Sequence, residues 1–268
     1  MKLDTSPQMI RSLIAEFLST VIFGFFVYGS IISSNLTGGL NAQVGNVGVP
    51  VGFGAVAIIY AFSKWAPAHF NPAITLGAIL AGKMCPIKGS MYMLSQFLGA
   101  LVAMGLIYAS NPTDVDLAEI LTARRNANAS ITNAIVMEVI LTFILVWIAI
   151  MAAIAVMPAA TTVTMSQDVE SGENTESKDN VVVTTDMGNN GTAFGPLAIG
   201  LTLGGLVFLG GASSGGVFNP SLAFAPSCYS GSFKQIYIYL GGEFIGGALA
   251  GLLYRLIFID WKKKEASE

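Results

Sequence analysis

Two short stretches govern the reading of this chain: Ala68-His69-Phe70-Asn71-Pro72-Ala73 and Gly215-Gly216-Val217-Phe218-Asn219-Pro220-Ser221. Each opens an apolar segment, 71–82 and 219–228, of roughly 10 to 12 residues, or about 15–18 Å of helix. That is half of a ~30 Å hydrocarbon core, so such segments enter and return as half-helices. A third triplet, Asn111-Pro112-Thr113, lies in a polar, charge-flanked loop, so context carries the signal. The context is apolar: no charged residue occurs from Phe17 to Ser63, or from Met187 to Phe233.

The 268 residues are 53% hydrophobic and 11% charged, with a mean hydropathy of +0.67. A soluble domain carries roughly 25% charge. The composition therefore implies an all-α, multi-pass integral membrane protein. Spans of about 20 residues fit at 10–33, 48–64, 88–109, 131–157, 193–212 and 234–258. With both termini cytoplasmic, Lys2, Arg11, Lys64, Lys83, Lys88, Lys178, Arg255 and Lys262 to Lys264 fall inside. Only Arg124, Arg125 and Lys234 fall outside, as the positive-inside rule requires. The net charge of −3 and the lack of a basic stripe point away from nucleic acid. Cys85 and Cys228 fall on opposite faces, against a disulfide within the chain. No metal-ligand cluster or nucleophile–base constellation is evident, so neither cofactor, metal nor enzyme activity is expected.

The halves repeat. Ala15-Glu16-Phe17-Leu18-Ser19-Thr20 matches Met137-Glu138-Val139-Ile140-Leu141-Thr142, and Gln96-Phe97-Leu98-Gly99-Ala100 matches Glu243-Phe244-Ile245-Gly246-Gly247. Three spans per half is odd, so the second copy is inverted. The expected organisation is a first repeat over 1–109, an outer connection over 110–130, and a second repeat over 131–268. The second repeat holds an acidic insertion at 158–192, read as a flexible cytoplasmic loop, and ends in a basic tail.

Proline suits the first turn of a helix, which leaves Asn71 and Asn219 as caps whose side-chain oxygens accept a free N–H. Their amide N–H₂ groups then point outward as donors. Half-helices entering from opposite faces bring their positive dipole ends together at the midplane. Water or a small hydroxylated solute can accept from both asparagines, whereas a proton or metal cation meets a positive field and loses its hydration.

On these residues the chain resembles the aquaporin, or major intrinsic protein, family over nearly its whole length except the insertion. The run Gly195-Pro196-Leu197-Ala198-Ile199-Gly200 adds to the likeness. The resemblance implies a right-handed six-transmembrane bundle with two re-entrant half-helices, a homotetramer with one pore per subunit, and passive permeation. Water and small neutral solutes (glycerol, urea, ammonia, peroxide) are the implied permeants, with protons and ions excluded. It also implies that Asn71, Pro72, Ala73, Asn219, Pro220 and Ser221 form the pore midplane. Glu16 and Glu138 would buttress the pore loops by accepting backbone N–H groups, with His69 as a structural loop residue.

Matching by motif places the outer constriction at Phe53, Val207, Gly216 and Leu222; Phe53 includes a two-residue allowance for a short loop before Asn71. The chain departs from the family here. Leu222 stands in place of arginine, Val207 where water channels often have histidine, and Ala223 where glycerol channels commonly have aspartate. Glu243 takes a position usually held by proline, and an intramembrane carboxylate is functional by default. The expected function is a passive channel with a wide, apolar filter in the plasma membrane, or alternatively an internal membrane. The competing readings are a closed-pore, structural membrane protein and a coupled secondary transporter.

Overall fold

The computed structural model describes residues 6–37, 43–111, 115–154, 163–164, 182–183 and 194–259. Its helices are α1 (Pro7–Thr37), α2 (Gln43–Phe62), α3 (Pro72–Leu80), α4 (Pro86–Ser110), α5 (Leu117–Leu121), α6 (Ile131–Ala149), α7 (Gly195–Gly210), α8 (Pro220–Ser230) and α9 (Ile236–Phe258). A π-turn, Ile150–Ile154, continues α6. Five of these, α1, α2, α4, α6 and α9, are long and apolar enough to cross a membrane. The 16 residues of α7 supply about 24 Å for the sixth crossing. Most of the 158–192 insertion lies outside the described residues; within it, Val163–Thr164 pairs antiparallel with Val182–Val183. The third triplet's Pro112 and Thr113 also lie outside them.

The helices are inside-out relative to a soluble bundle. On α1, Ile10, Ile14, Leu18, Ile22 and Phe25 recur every three or four residues and are exposed, while Ser12, Glu16, Ser19 and Thr20 are buried. A stripe of this kind suits lipid, where helices associate through close packing and polar contacts rather than by hiding apolar surface.

Close packing follows the repeat. α1 lies along α4, and α6 lies along α9. At the first crossing a Cβ on Gly99 would sit 2.7 Å from the Phe17 carbonyl oxygen. At the second, Gly246 abuts the Val139 carbonyl in the same way. Phe17 and Val139 each follow a buttress glutamate, and Gly99 and Gly246 each lie three residues after Gln96 or Glu243. α2 and α7 cross at glycines too: a Cβ on Gly52 would lie 3.0 Å from the Gly200 oxygen.

The half-helices α3 and α8 obey the inverted arrangement. α3 packs on α9 and α8 on α4, so each docks against the last helix of the other half. Asn71 and Asn219 cap them, Pro72 and Pro220 occupy their first turns, and left-handed glycines follow, Gly82 (φ 72°) and Gly231 (φ 68°). Only glycine takes such a φ without strain. Helix α5 was not expected; it is set by Asp116, whose carboxylate accepts the Glu119 N–H at 2.9 Å.

Candidate functional site

The site is built from the two loops that precede α3 and α8. Both contain non-glycine residues in the left-handed region: Ala68 (φ 52°) and Phe70 (φ 35°) in one, Phe218 (φ 37°) in the other. Such residues cost about 1–3 kcal/mol each and persist only when the surroundings fix them. Here the surroundings are carboxylates. Glu16, fully buried on α1, accepts His69 N–H at 2.9 Å and Phe70 N–H at 3.1 Å. Glu138, fully buried on α6, accepts Val217 N–H at 3.1 Å and Phe218 N–H at 2.8 Å.

The strained phenylalanines turn their carbonyls toward the opposite loop. Asn71 Nδ2 donates to the Phe218 oxygen at 2.7 Å, and Asn219 Nδ2 donates to the Phe70 oxygen at 2.9 Å. The expectation that both asparagine amides point outward as donors is therefore modified. An amide carries two N–H groups; one of each closes the bond between halves and the second remains. The side-chain oxygens cap the helices, Asn71 Oδ1 accepting Ala73 N–H at 2.8 Å and Asn219 Oδ1 accepting Ser221 N–H at 3.2 Å. Ser221 adds a bond that Ala73 cannot, its hydroxyl donating to Asn219 Oδ1 at 2.8 Å. His69 is buried, with Nδ1 3.1 Å from Thr75 Oγ1.

A cavity of about 550 Å³ runs from these loops to the end of the bundle where α1 finishes. Val207, Gly216 and Leu222 line it, together with Phe23, Tyr28 and Phe218. Leu222 is fixed through its backbone, whose carbonyl accepts the buried Tyr28 hydroxyl at 3.1 Å. At the mouth Arg124 pairs with Glu119 at 2.6 Å, both half-exposed.

Phe53 needs correction. It is 67% exposed and does not line this cavity; the α2 residues that do are Val47 and Val51. The cause is helical register. Two residues turn a helix by about 200°, so the two-residue allowance moved the assignment from the inner face of α2 to its outer one. Val51, 2% exposed, occupies the inner face.

Sequence reading also missed Gln96, Thr75 and Tyr28 as parts of the site. Gln96 Nε2 donates to Glu16 at 2.8 Å and to Thr75 Oγ1 at 3.0 Å. Its signal was present, a lone amide in the middle of an apolar helix. Cys85 and Cys228 are both free thiols.

With paired half-helices, buttressed loops and a lined cavity in place, relatives can be compared. The family model described as major intrinsic protein matches residues 4–166 and 179–254. The chain belongs to this family. Among similar major intrinsic proteins are the "Aquaporin" of Encephalitozoon hellem, 39% identical over 259 residues covering 95% of this chain and 96% of that one. "Aquaporin-B" of Dictyostelium discoideum is 33% identical over 249 residues, covering 91% and 81%. The structure of the aquaglyceroporin from Plasmodium falciparum matches with a TM-score of 0.69 at 18% identity, covering 97% of this chain and 99% of that chain. That last likeness shows the fold, an aquaporin-like six-transmembrane bundle with two re-entrant half-helices. As a major intrinsic protein the chain is a membrane channel for water or small solutes, and not an enzyme.

Proposed function

We propose that the pore runs past Asn71 and Asn219 and through an outer constriction of Val51, Val207, Gly216 and Leu222, and that it passes water together with small neutral solutes such as glycerol and urea. Ammonia and peroxide, being small and uncharged, belong to the same class. The observation that carries this is the reciprocal pair of asparagine bonds, which sets two helix N-termini face to face with one spare N–H on each amide. Dipole ends so placed disfavour cations, and a permeant that accepts hydrogen bonds passes them. Pro72, Ala73, Pro220 and Ser221 shape the two helix starts, and Glu16, Glu138 and His69 hold the loops.

Leu222 gives the constriction no charge and no N–H donors beyond backbone. Three aliphatic walls and a glycine make a filter that discriminates poorly among neutral solutes. Cation exclusion then rests on the half-helices. The assembly we infer is a homotetramer with both termini cytoplasmic, in the plasma membrane or an internal one, with repeats over 1–109 and 131–268 joined by an outer 110–130 connection.

Stopped-flow light scattering on proteoliposomes tests this, first under an impermeant osmotic gradient and then under glycerol and urea gradients. Fast shrinkage followed by fast re-swelling in glycerol or urea is expected. Slow solute entry would mean a water-selective filter despite Leu222, and flat traces would support a closed, structural pore. Uptake that saturates and follows an ion gradient would support a coupled transporter.

A further inference from the structure

The buttresses of the two halves are built alike around their loops, and the Ser214 hydroxyl faces Glu138 from the loop after α7; they differ in what the last helix of each half brings to the carboxylate. In the first half a donor faces the loop-holding carboxylate: Gln96 Nε2 reaches Glu16, with Thr75 and His69 extending the network. In the second half the corresponding positions are Glu243, Ala223 and Val217. An amide, a hydroxyl and an imidazole are replaced by a carboxyl, a methyl and an isopropyl group.

Glu243 is fully buried on α9. Among the described residues neither of its oxygens closes a hydrogen bond. Glu138, from α6, and the Asn219 backbone N–H face it. A turn away on α9, Tyr239 is occupied, its hydroxyl donating to the Ser214 oxygen at 2.7 Å. Arg125 is engaged in its own loop, its Nη1 donating to the Ala129 oxygen. The helices are tight here: a Cβ on Gly242 would lie 2.9 Å from Glu138 Cβ. Thr142, one turn after Glu138 on α6, also has an unpartnered buried hydroxyl.

Two ionised carboxylates cannot share this place. Each would be out of water, each would repel the other, and among the described residues neither is ion-paired with a cation. One proton removes both problems and gives the pair a donor from α9, beside the Ser214 hydroxyl that already faces Glu138. We propose that Glu243 and Glu138 form a buried proton-binding site, in which one proton carried on Glu243 does for the second half what the Gln96 amide does for the first. The ligand is a proton, and its site adjoins the carboxylate that holds Val217 and Phe218, so the loop before the second half-helix is held beside a titratable group. This inference is independent of which solute permeates.

Infrared spectroscopy of the purified protein in lipid, with ¹³C-labelled glutamate, reads the proton directly. The carbonyl stretch of an un-ionised, buried carboxylic acid is expected at neutral pH, shifted by the label and lost in Glu243→Gln. No such band in the wild type would overturn the proposal, and that measurement needs no variant to fold. Thermal unfolding against pH gives a second readout. A folded state that keeps a proton the unfolded chain has released loses stability as pH rises, by about tenfold in the folding constant per pH unit for one proton. Above the range of an ordinary glutamate, near pH 4.3, the wild type should therefore weaken relative to Glu243→Gln. Gln is an uncharged donor whatever the pH. A difference between the two proteins that does not change with pH would also overturn it.

Discussion

Replacing Glu16 by alanine removes three hydrogen-bond acceptor contacts at once. His69 N–H, Phe70 N–H and Gln96 Nε2 each donate to it, and all three residues are buried. A buried donor left unsatisfied costs about 1–3 kcal/mol, so the loss is roughly 3–9 kcal/mol before the loop relaxes. Relaxation recovers part of it. Ala68 and Phe70 would leave the left-handed region, returning about 1–3 kcal/mol each, and pore water would solvate some of the freed amides. The net loss is then about 1–3 kcal/mol, a sizeable share of a typical total of roughly 5–15 kcal/mol. Glu16→Gln should fall between, because the amide keeps one acceptor but turns N–H groups toward another donor. Thermal unfolding in detergent gives the stabilities, and osmotic shrinkage of reconstituted vesicles gives the flux. The relaxed loop also frees the Phe70 carbonyl from Asn219, so flux should fall with stability. A Glu16→Ala protein with wild-type melting temperature and wild-type water permeability would refute the buttress account.

Leu222→Arg places a cation and several N–H donors in the apolar constriction; glycerol and urea permeability should drop by about tenfold or more relative to water, equivalent to ~1.4 kcal/mol of added barrier. Unchanged ratios among the three permeants would count against the filter assignment. Val51→Phe should narrow the pore and slow every permeant, while Phe53→Ala should leave vesicle permeabilities as they were; the opposite pattern would restore Phe53 to the filter. Gly99→Ala forces a methyl to within 2.7 Å of a backbone oxygen and should cost about 1–3 kcal/mol by overpacking. Gly241→Ala, with no heavy atom within 4 Å of the added carbon, should melt like the wild type, and equal melting of all three proteins would mean that the α1–α4 crossing tolerates separation.

What could be read from the sequence depended on how local its cause was. The half-helices α3 and α8 were legible because an Asn cap and a first-turn proline act within three residues. The buttress glutamates were legible as carboxylates in charge-free helices, and the repeat predicted that they would be used alike. Phe53 failed for the opposite reason. Its facing depends on the length of the 63–70 connection, and one miscounted half-turn moves a residue from the lumen to the outside. The crossed amide bonds could not be read, since nothing near Asn71 announces that its partner is the Phe218 carbonyl. Gln96 and Glu243 were recognised as repeat partners, yet the consequence of one being an amide and the other an acid required seeing what each faced. Helix α5 is five residues long, too short to show a period.

The bond from Asn71 to Phe218 spans 147 positions of chain. At a synthesis rate of about 5–20 residues per second, that separation is roughly 7–30 s on the ribosome. During that interval the first half sits in the translocation apparatus or the bilayer with its asparagine amide and the strained Phe70 carbonyl unanswered. Neither half can complete the midplane alone. The pore is therefore closed to assembly in stages: its midplane comes into being in one late event, when the second loop arrives from the opposite face and both amides find their carbonyls together.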